Sequence, residues 1–375
     1  MLIIYLKLGI ISFLISYLLV FFLTPQIINL GKNFNLYDYK DTRKENKSPT
    51  VRIGGIGLFL GFTISLILTR NLFQINFLEQ ENIFFFNASV IIGIGFFILG
   101  LLDDLLRIGP IKRLILQFLF SIYFSIFYLN IDKVNLSLFN YDLLSYNLPY
   151  YLSIFITTFW LVGITNALNW LDGLDGLLIG LTAIYSIGFI VINVHFDNLL
   201  PFVYSSALLG TCVSFLKYNR NPAKVFMGDS GSYFLGINMA NLGIMSCSDA
   251  TYFSGNYYAN FFGLEINCLI PLFIFFIPIF DMLLVISKRL FDKKSIFHPD
   301  RNHLHHRLLK FGLSEKQTVN KIYYLGSLLT LLSFLNINKL NFLSLFIFIF
   351  VLILFIYRNK NNSKFIKFLF NLHKN

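Results

Sequence analysis

The sequence predicts an all-α fold, a polytopic integral membrane protein of about eleven transmembrane helices with its polar, site-forming loops on the cytoplasmic side. Three observations predict it. Of 375 residues, 56% are hydrophobic and only 13% charged, about half the roughly 25% charge of a soluble domain. Mean hydropathy is +0.68, and apolar runs near the 17–25 residues that cross a bilayer recur from end to end. Lysine and arginine concentrate on alternate loops.

In chain order the spans lie near 2–24, 53–69, 83–102, 114–131, 150–168, 177–194, 199–216, 233–247, 262–286, 323–336 and 341–357. The first lacks an A-x-A cleavage site and reads as a span, not a signal peptide. The tenth is short, and a re-entrant segment is its alternative. The loops 25–52, 103–113, 217–232 and 287–322 and the tail 358–375 together hold 26 of the 30 Lys and Arg residues. The positive-inside rule puts them in the cytoplasm of a multi-pass protein of the inner (plasma) membrane. Residues 1–357 form one transmembrane domain. In the tail 358–375, Phe365, Phe368, Leu369 and Leu372 fall on one helical face among lysines, as in an interfacial amphipathic helix. Cys212, Cys247 and Cys268 have no paired spacing and read as apolar fillers.

Every unusual polar motif falls on the basic side. "GLLDDLLR" closes the third span with Asp103 and Asp104, adjacent acids that disfavour one another's charge. One of them handles a proton or helps hold a metal-bound phosphate, or the pair is a solvated helix end. "NALNWLDGLDGL" spaces Asn166, Asn169, Asp172 and Asp175 three residues apart before Asp-Gly turns. Amide and carboxylate oxygens suit Mg²⁺ or the hydroxyls of a nucleotide. In "NRNPAKVFMGDSGSYFLG", Asp229 lies between Gly228 and Gly231 at the start of the eighth span, where helix amides favour phosphate and an Asp also caps. One magnesium bridging Asp229 and Asn169 would unite two motifs.

"HPDRNHLHHRLL" carries His298, His303, His305 and His306 with Arg301 and Arg307. Helical zinc sites favour His at i, i+4, which no pair in 303–306 has, so imidazoles beside guanidiniums fit a diphosphate better. "NKSPTVRIGGIG" adds Lys47 and Arg52 ahead of a Gly-Gly step. Asp281 is an acid inside the ninth span, functional by default or a partner for Lys288 or Arg289. A transporter is the competing class; it would need polar groups at mid-membrane depth and often an internal repeat, and apart from Asp281 neither is visible.

The order DD, N-x-x-N-x-x-D-G-x-D-G-L, P-A-x-V-F-M-G-D-S-G-S, H-P-D-R-x-H-L-H-H-R-L resembles the polyprenyl-phosphate N-acetylhexosamine-1-phosphate transferases over about residues 25–310. The His-Arg loop is similar to the bacterial branch using UDP-N-acetylglucosamine and unlike the muramoyl-pentapeptide branch. The resemblance implies that undecaprenyl phosphate and UDP-GlcNAc give undecaprenyl-diphosphate-GlcNAc and UMP, the first membrane step of cell-surface polysaccharide assembly. Another UDP-N-acetylhexosamine remains open as substrate. It implies Mg²⁺, with Mn²⁺ as the alternative, on residues matching Asn169 and Asp229. Asp103 and Asp104 match acids that engage or deprotonate the lipid phosphate, and Asp229 belongs with them to the catalytic set. Asp172 and Asp175 match a nucleotide pocket. Arg301, His303, His305 and His306 match a loop that selects the sugar and grips the diphosphate. Lys47, Arg52 and Asn166 complete the expected substrate contacts. The expected partners are a UDP-N-acetylhexosamine, a polyprenyl phosphate, the membrane and a second copy as homodimer, with no nucleic acid.

Overall fold

The computed structural model describes residues 2–38, 49–72, 80–128, 130–138, 141–246, 263–267, 269–297 and 300–337. Eight long helices come first: α1 (Leu2–Asn33), α2 (Gly55–Leu72), α3 (Gln80–Leu106), α4 (Pro110–Phe127), α5 (Tyr150–Leu171), α6 (Leu177–His195), α7 (Leu199–Asn219) and α8 (Gly228–Ser246). Then follow α9 (Leu269–Ile274), α10 (Phe276–Phe291), α11 (Leu304–Lys310) and α12 (Glu315–Ile337). Local sequence sets several boundaries. Pro110 occupies the first turn of α4, where its missing N–H costs nothing. Gly176 takes φ +82° ahead of α6, a conformation glycine reaches without a Cβ penalty.

The core is built around α8, which is buried along its whole length and packs on α3 and α5. Small residues permit this. A Cβ on Gly100 would strike the Asp229 carbonyl, and one on Gly55 would strike the Gly231 amide. Several hydroxyls inside the helices are satisfied locally: Thr165 donates to Leu161 O (2.7 Å) and Thr182 to Leu178 O (2.9 Å). Trp160 Nε1 donates to Ala240 O (2.9 Å), tying α5 to α8. Outward faces are apolar. On α1 the exposed Leu6, Ile10, Leu14, Leu18 and Phe22 recur every fourth residue, the mark of a helix facing hydrocarbon.

Among the described residues, seven helices are long and apolar enough to cross a membrane: most of α1 and α3, and all of α2, α4, α5, α6 and α7. The multi-pass helical fold is as expected; the count of eleven is not reached. The eighth expected span is α8, which carries several buried polar side chains. The ninth, 262–286, divides into a strand, α9 and α10. Pro278 lacks the amide that would continue the ladder to Ile274, and Phe275 forms a turn between the two helices. The tenth, 323–336, lies within the helix α12, which is not among these seven. The eleventh, 341–357, and the tail 358–375 lie outside the described residues, as do Cys247 and Cys268.

Strands are the feature the helical reading lacked. β1 (Tyr37–Asp38) pairs antiparallel with β2 (Thr50–Val51), matching Tyr37 with Val51. β3 (Asn130–Leu138) and β4 (Tyr141–Asn147) form an antiparallel hairpin, and β5 (Gly263–Asn267) joins β3 in parallel, giving the order β4-β3-β5. This sheet sits at the end of the bundle where α4 finishes and α5 begins. Exposed Tyr123, Phe127, Tyr146, Tyr150 and Tyr151 gather there, as aromatic residues do at a membrane–water boundary. The polar motifs occupy the opposite end.

Candidate active site

The centre of the site is the start of α8. Gly228 has φ +69°, and the next two amides point at α3: Asp104 accepts from Asp229 N (2.8 Å) and Ser230 N (2.9 Å). The α8 terminus is therefore capped by a carboxylate from another helix. Arg52 reaches in between β2 and α2. Its Nε meets Asp104 Oδ1 at 3.0 Å and its Nη2 donates to Asp229 Oδ2 at 2.8 Å. Burial works against the Arg52 charge, but Asp229 and Asp104 outweigh it and the pKa is raised.

The two adjacent acids of α3 are placed differently. Asp104 has both oxygens engaged by protein, and its side chain is 1% exposed. Sequence reasoning put it with the catalytic acids; in this arrangement it holds Arg52 and α8. Asp103 pairs with Arg113 through Oδ2, while its buried Oδ1 has no partner. Arg113 also lies 3.7 Å from Asp229 Oδ2.

On α5 the three-residue spacing works as expected. Asn169 Nδ2 donates to Asp229 Oδ1 (2.9 Å) and to Ser232 Oγ (2.8 Å). One turn deeper, Asn166 donates to Gln117 Oε1 (2.6 Å) and Val162 O (2.8 Å). A cleft opens beside them, lined by Pro110, Arg113, Leu114, Asn166, Asn169, Trp170, Tyr233, Arg289, Phe297 and His303.

The α5–α6 turn is fixed from outside the cleft. Asp175 accepts from Ala223 N (3.0 Å) and Asn221 Nδ2 (3.3 Å), so it holds the 219–225 loop and is not a wall of the cleft. Gly176 is gripped on both sides: its N–H donates to Asn219 Oδ1 (3.1 Å), and its carbonyl accepts from Tyr323 of α12. Asp172 sits at the end of α5. Burial first, and then the charge of Asp229, push its pKa up to about 7.

The His-Arg loop divides its members. His303 lines the cleft, its ring edge-on to Trp170 at 5.5 Å between centroids. His305 is buried against Gly173, with neither ring nitrogen partnered; burial and the two neighbouring imidazoles hold its pKa well below the usual value. His306 is shifted the same way, chiefly by burial. Arg301 is exposed and away from the cleft. Lys47 and His298 lie outside the described residues. Asp281 does not pair with Lys288 or Arg289: it accepts from Leu304 N (2.7 Å) and pairs with His303 Nδ1 (2.9 Å). Arg289 instead bonds Asp300 (2.9 Å) and stands 5.1 Å over the Trp170 ring.

Sequence reasoning missed Arg113, Gln117, Trp170 and Tyr233 as cleft or supporting residues. Tyr233 lies one helical turn from Asp229, and Gln117 one turn from Arg113, so the 3.6-residue period would have found both once their partners were known.

Among the described residues, no three His, Cys, Asp or Glu side chains form a ready cation cage. One carboxylate and one amide do converge, Asp229 and Asn169, with Nδ2 of the amide toward the carboxylate, so Asn169 Oδ1 is the atom that would serve a cation. Magnesium commonly takes one or two protein oxygens and leaves its other positions to water and phosphate, so this donor set fits it.

Together these features define a helical membrane protein with a polar cleft, lined by two arginines and a histidine, at one end of the bundle. A sequence model of Glycosyl transferase family 4 matches residues 86–247. A Bacillus subtilis protein described as a probable undecaprenyl-phosphate N-acetylglucosaminyl 1-phosphate transferase is 30% identical over 342 residues, covering 90% of this chain and 87% of its own. A Mycobacterium tuberculosis decaprenyl-phosphate N-acetylglucosaminephosphotransferase is 30% identical over 82% of this chain and 77% of its own. A Prochlorococcus marinus phospho-N-acetylmuramoyl-pentapeptide-transferase is 31% identical over 85% and 88%. The chain belongs to the polyprenyl-phosphate N-acetylhexosamine-1-phosphate transferase family.

Proposed function

We propose that the protein transfers N-acetylglucosamine-1-phosphate from UDP-GlcNAc to a polyprenyl phosphate such as undecaprenyl phosphate, releasing UMP at the cytoplasmic face of the inner membrane. The observation that carries the reading is the Asn169–Asp229 contact of 2.9 Å at the α8 terminus, beside a cleft walled by Arg113, Arg289 and His303. The names of the Bacillus and Mycobacterium relatives supply the sugar and the lipid.

Two crowded anions must be joined. Arg113 and Arg289 offset their charge and orient the diphosphate along the cleft, whose wall His303 shares. Asn169 and Asp229 would hold Mg²⁺, or Mn²⁺ in its place, which when bound neutralises phosphate charge and makes the sugar-bearing phosphorus more open to attack. An oxygen of the lipid phosphate attacks that phosphorus. The bond to the bridging oxygen breaks, and UMP leaves with that oxygen. A phosphate monoester has a second pKa of about 6, so the nucleophile is mostly dianionic at neutral pH. At lower pH, Asp103 Oδ1 accepts the remaining proton.

The test is UMP release from UDP-GlcNAc by the purified protein, with and without undecaprenyl phosphate and with and without Mg²⁺. Release that needs both is expected. A transporter would release none, and that result overturns the reading. A second UDP-N-acetylhexosamine as substrate is favoured by the Prochlorococcus relative, whose name specifies an N-acetylmuramoyl-pentapeptide. A panel of UDP-sugars separates the two.

A further inference from the structure

We propose that Asp281 is a positioning residue: it fixes the orientation and the proton placement of His303, so that His303 presents Nε2 to the substrate in the cleft. The proposal rests on the reading of the cleft given above and adds a residue to it.

Asp281 is buried on α10, and both of its oxygens point at the same loop. Oδ2 stands 2.9 Å from His303 Nδ1, and Oδ1 accepts from Leu304 N at 2.7 Å. A carboxylate only accepts, so the proton on that contact belongs to His303 Nδ1. The ring atom left for the cleft is Nε2. Trp170 stands edge-on to the ring at 5.5 Å and His305 is stacked at 5.9 Å, so the ring is flanked on two sides while its bond to Asp281 sets which nitrogen faces the carboxylate.

Two further side chains of α10 hold the same segment. Lys288 donates to Asn302 Oδ1 (2.9 Å), and Arg289 donates to Asp300 Oδ2 (2.9 Å) and to the Ile296 carbonyl. Asp281, Lys288 and Arg289 therefore hold Ile296, Asp300, Asn302, His303 and Leu304 between them. Of the three, only Asp281 touches a side chain that lines the cleft without lining it itself. Lys288 anchors the loop, and Arg289 is itself a wall. An acid inside a membrane-facing helix is costly, and a loop anchor alone would be met by the Leu304 amide. The second oxygen, on imidazole, is what a purely structural role leaves unexplained.

The experiment is a double-mutant cycle of Asp281→Asn, His303→Ala and the two combined. Asp281→Asn keeps an acceptor for Leu304 N but offers His303 Nδ1 a donor, which moves the imidazole proton to Nε2. Two readouts are taken on folded, full-length protein: kcat/KM for UMP release from UDP-GlcNAc, and the dissociation constant for UDP. Each single variant is expected to lose at least tenfold in kcat/KM, and the double variant to fall within twofold of His303→Ala. The UDP dissociation constants are expected to follow the same non-additive pattern. Losses that multiply, or an Asp281→Asn protein equal to wild type, overturn the proposal. If the wild-type protein turns over no UDP-sugar, the proposed function fails, and the UDP arm still decides the role of Asp281.

Discussion

At the residue scale, Asp103 and Asp104 are adjacent in sequence and do different work. Asp104 spends both oxygens on Arg52 and on the α8 amides; Asp103 keeps one oxygen unpartnered. Asp104→Ala leaves two helix amides without their buried acceptor and takes one of the acids from Arg52, and each unsatisfied buried donor costs about 1–3 kcal/mol. We expect it to lower the thermal unfolding midpoint in detergent sharply, whereas Asp103→Asn keeps the midpoint and loses turnover, most strongly at acidic pH. Asp172 gives a pH signature. Its folded pKa of about 7 lies above the 3.8 of an unperturbed aspartate, so its contribution to stability is greatest below 3.8 and is lost as pH rises through 7. Asp172→Asn removes that loss. Thermal midpoints should therefore agree near pH 4 and diverge in favour of the variant up to pH 7, staying apart above it. The three-residue spacing of Asn166 and Asn169 was legible because a helix places such residues on one face. The separate duties of Asp103 and Asp104 were not legible, because they depend on which helix meets each carboxylate.

At the element scale, the site is a set of helix ends held by distant partners. The α5–α6 turn is closed by Asn219 from α7 and Tyr323 from α12, which take the two backbone groups of Gly176. Residue Gly180 leaves room for the Tyr323 ring, since a Cβ there would overlap its hydroxyl. Tyr323→Phe removes one hydrogen bond, worth about 1 kcal/mol. We expect a small fall in thermal midpoint and a larger rise in KM for the UDP-sugar, because the turn bearing Asp172 loosens. The sequence marks this turn through its Asp-Gly steps, but nothing local points to α12, 147 residues away. In the same way Asp281 was legible as an unusual acid, while its partner His303 could be found only once α10 and α11 were packed together. The division of the ninth expected span was readable in principle from Pro271 and Pro278, which apolarity alone conceals.

At the scale of the whole molecule, the helices place every site motif at one end of the bundle and the β4-β3-β5 sheet at the other. The charge asymmetry of the loops made that sidedness legible. The sheet was not, because β3 and β4 lie mostly in a polar connection that the span pattern leaves as a gap, and β5 is hidden inside the ninth apolar run. Cysteines introduced at Arg107 and Lys293 should react with an impermeant thiol reagent only from the cytoplasmic side, and one at Tyr146 only from the other. Uniform labelling from a single side would contradict the arrangement. The proposed reaction needs the amide and the carboxylate that α5 and α8 bring together, Asn169 and Asp229. The most direct measurement is UMP release from UDP-GlcNAc in liposomes containing undecaprenyl phosphate, comparing wild type with Asp229→Asn and Asn169→Ala. Release by wild type that needs the lipid and is abolished by chelation, with at least a hundredfold loss in both variants, is the expected result. Full activity in either variant, or release that ignores the lipid, would contradict it.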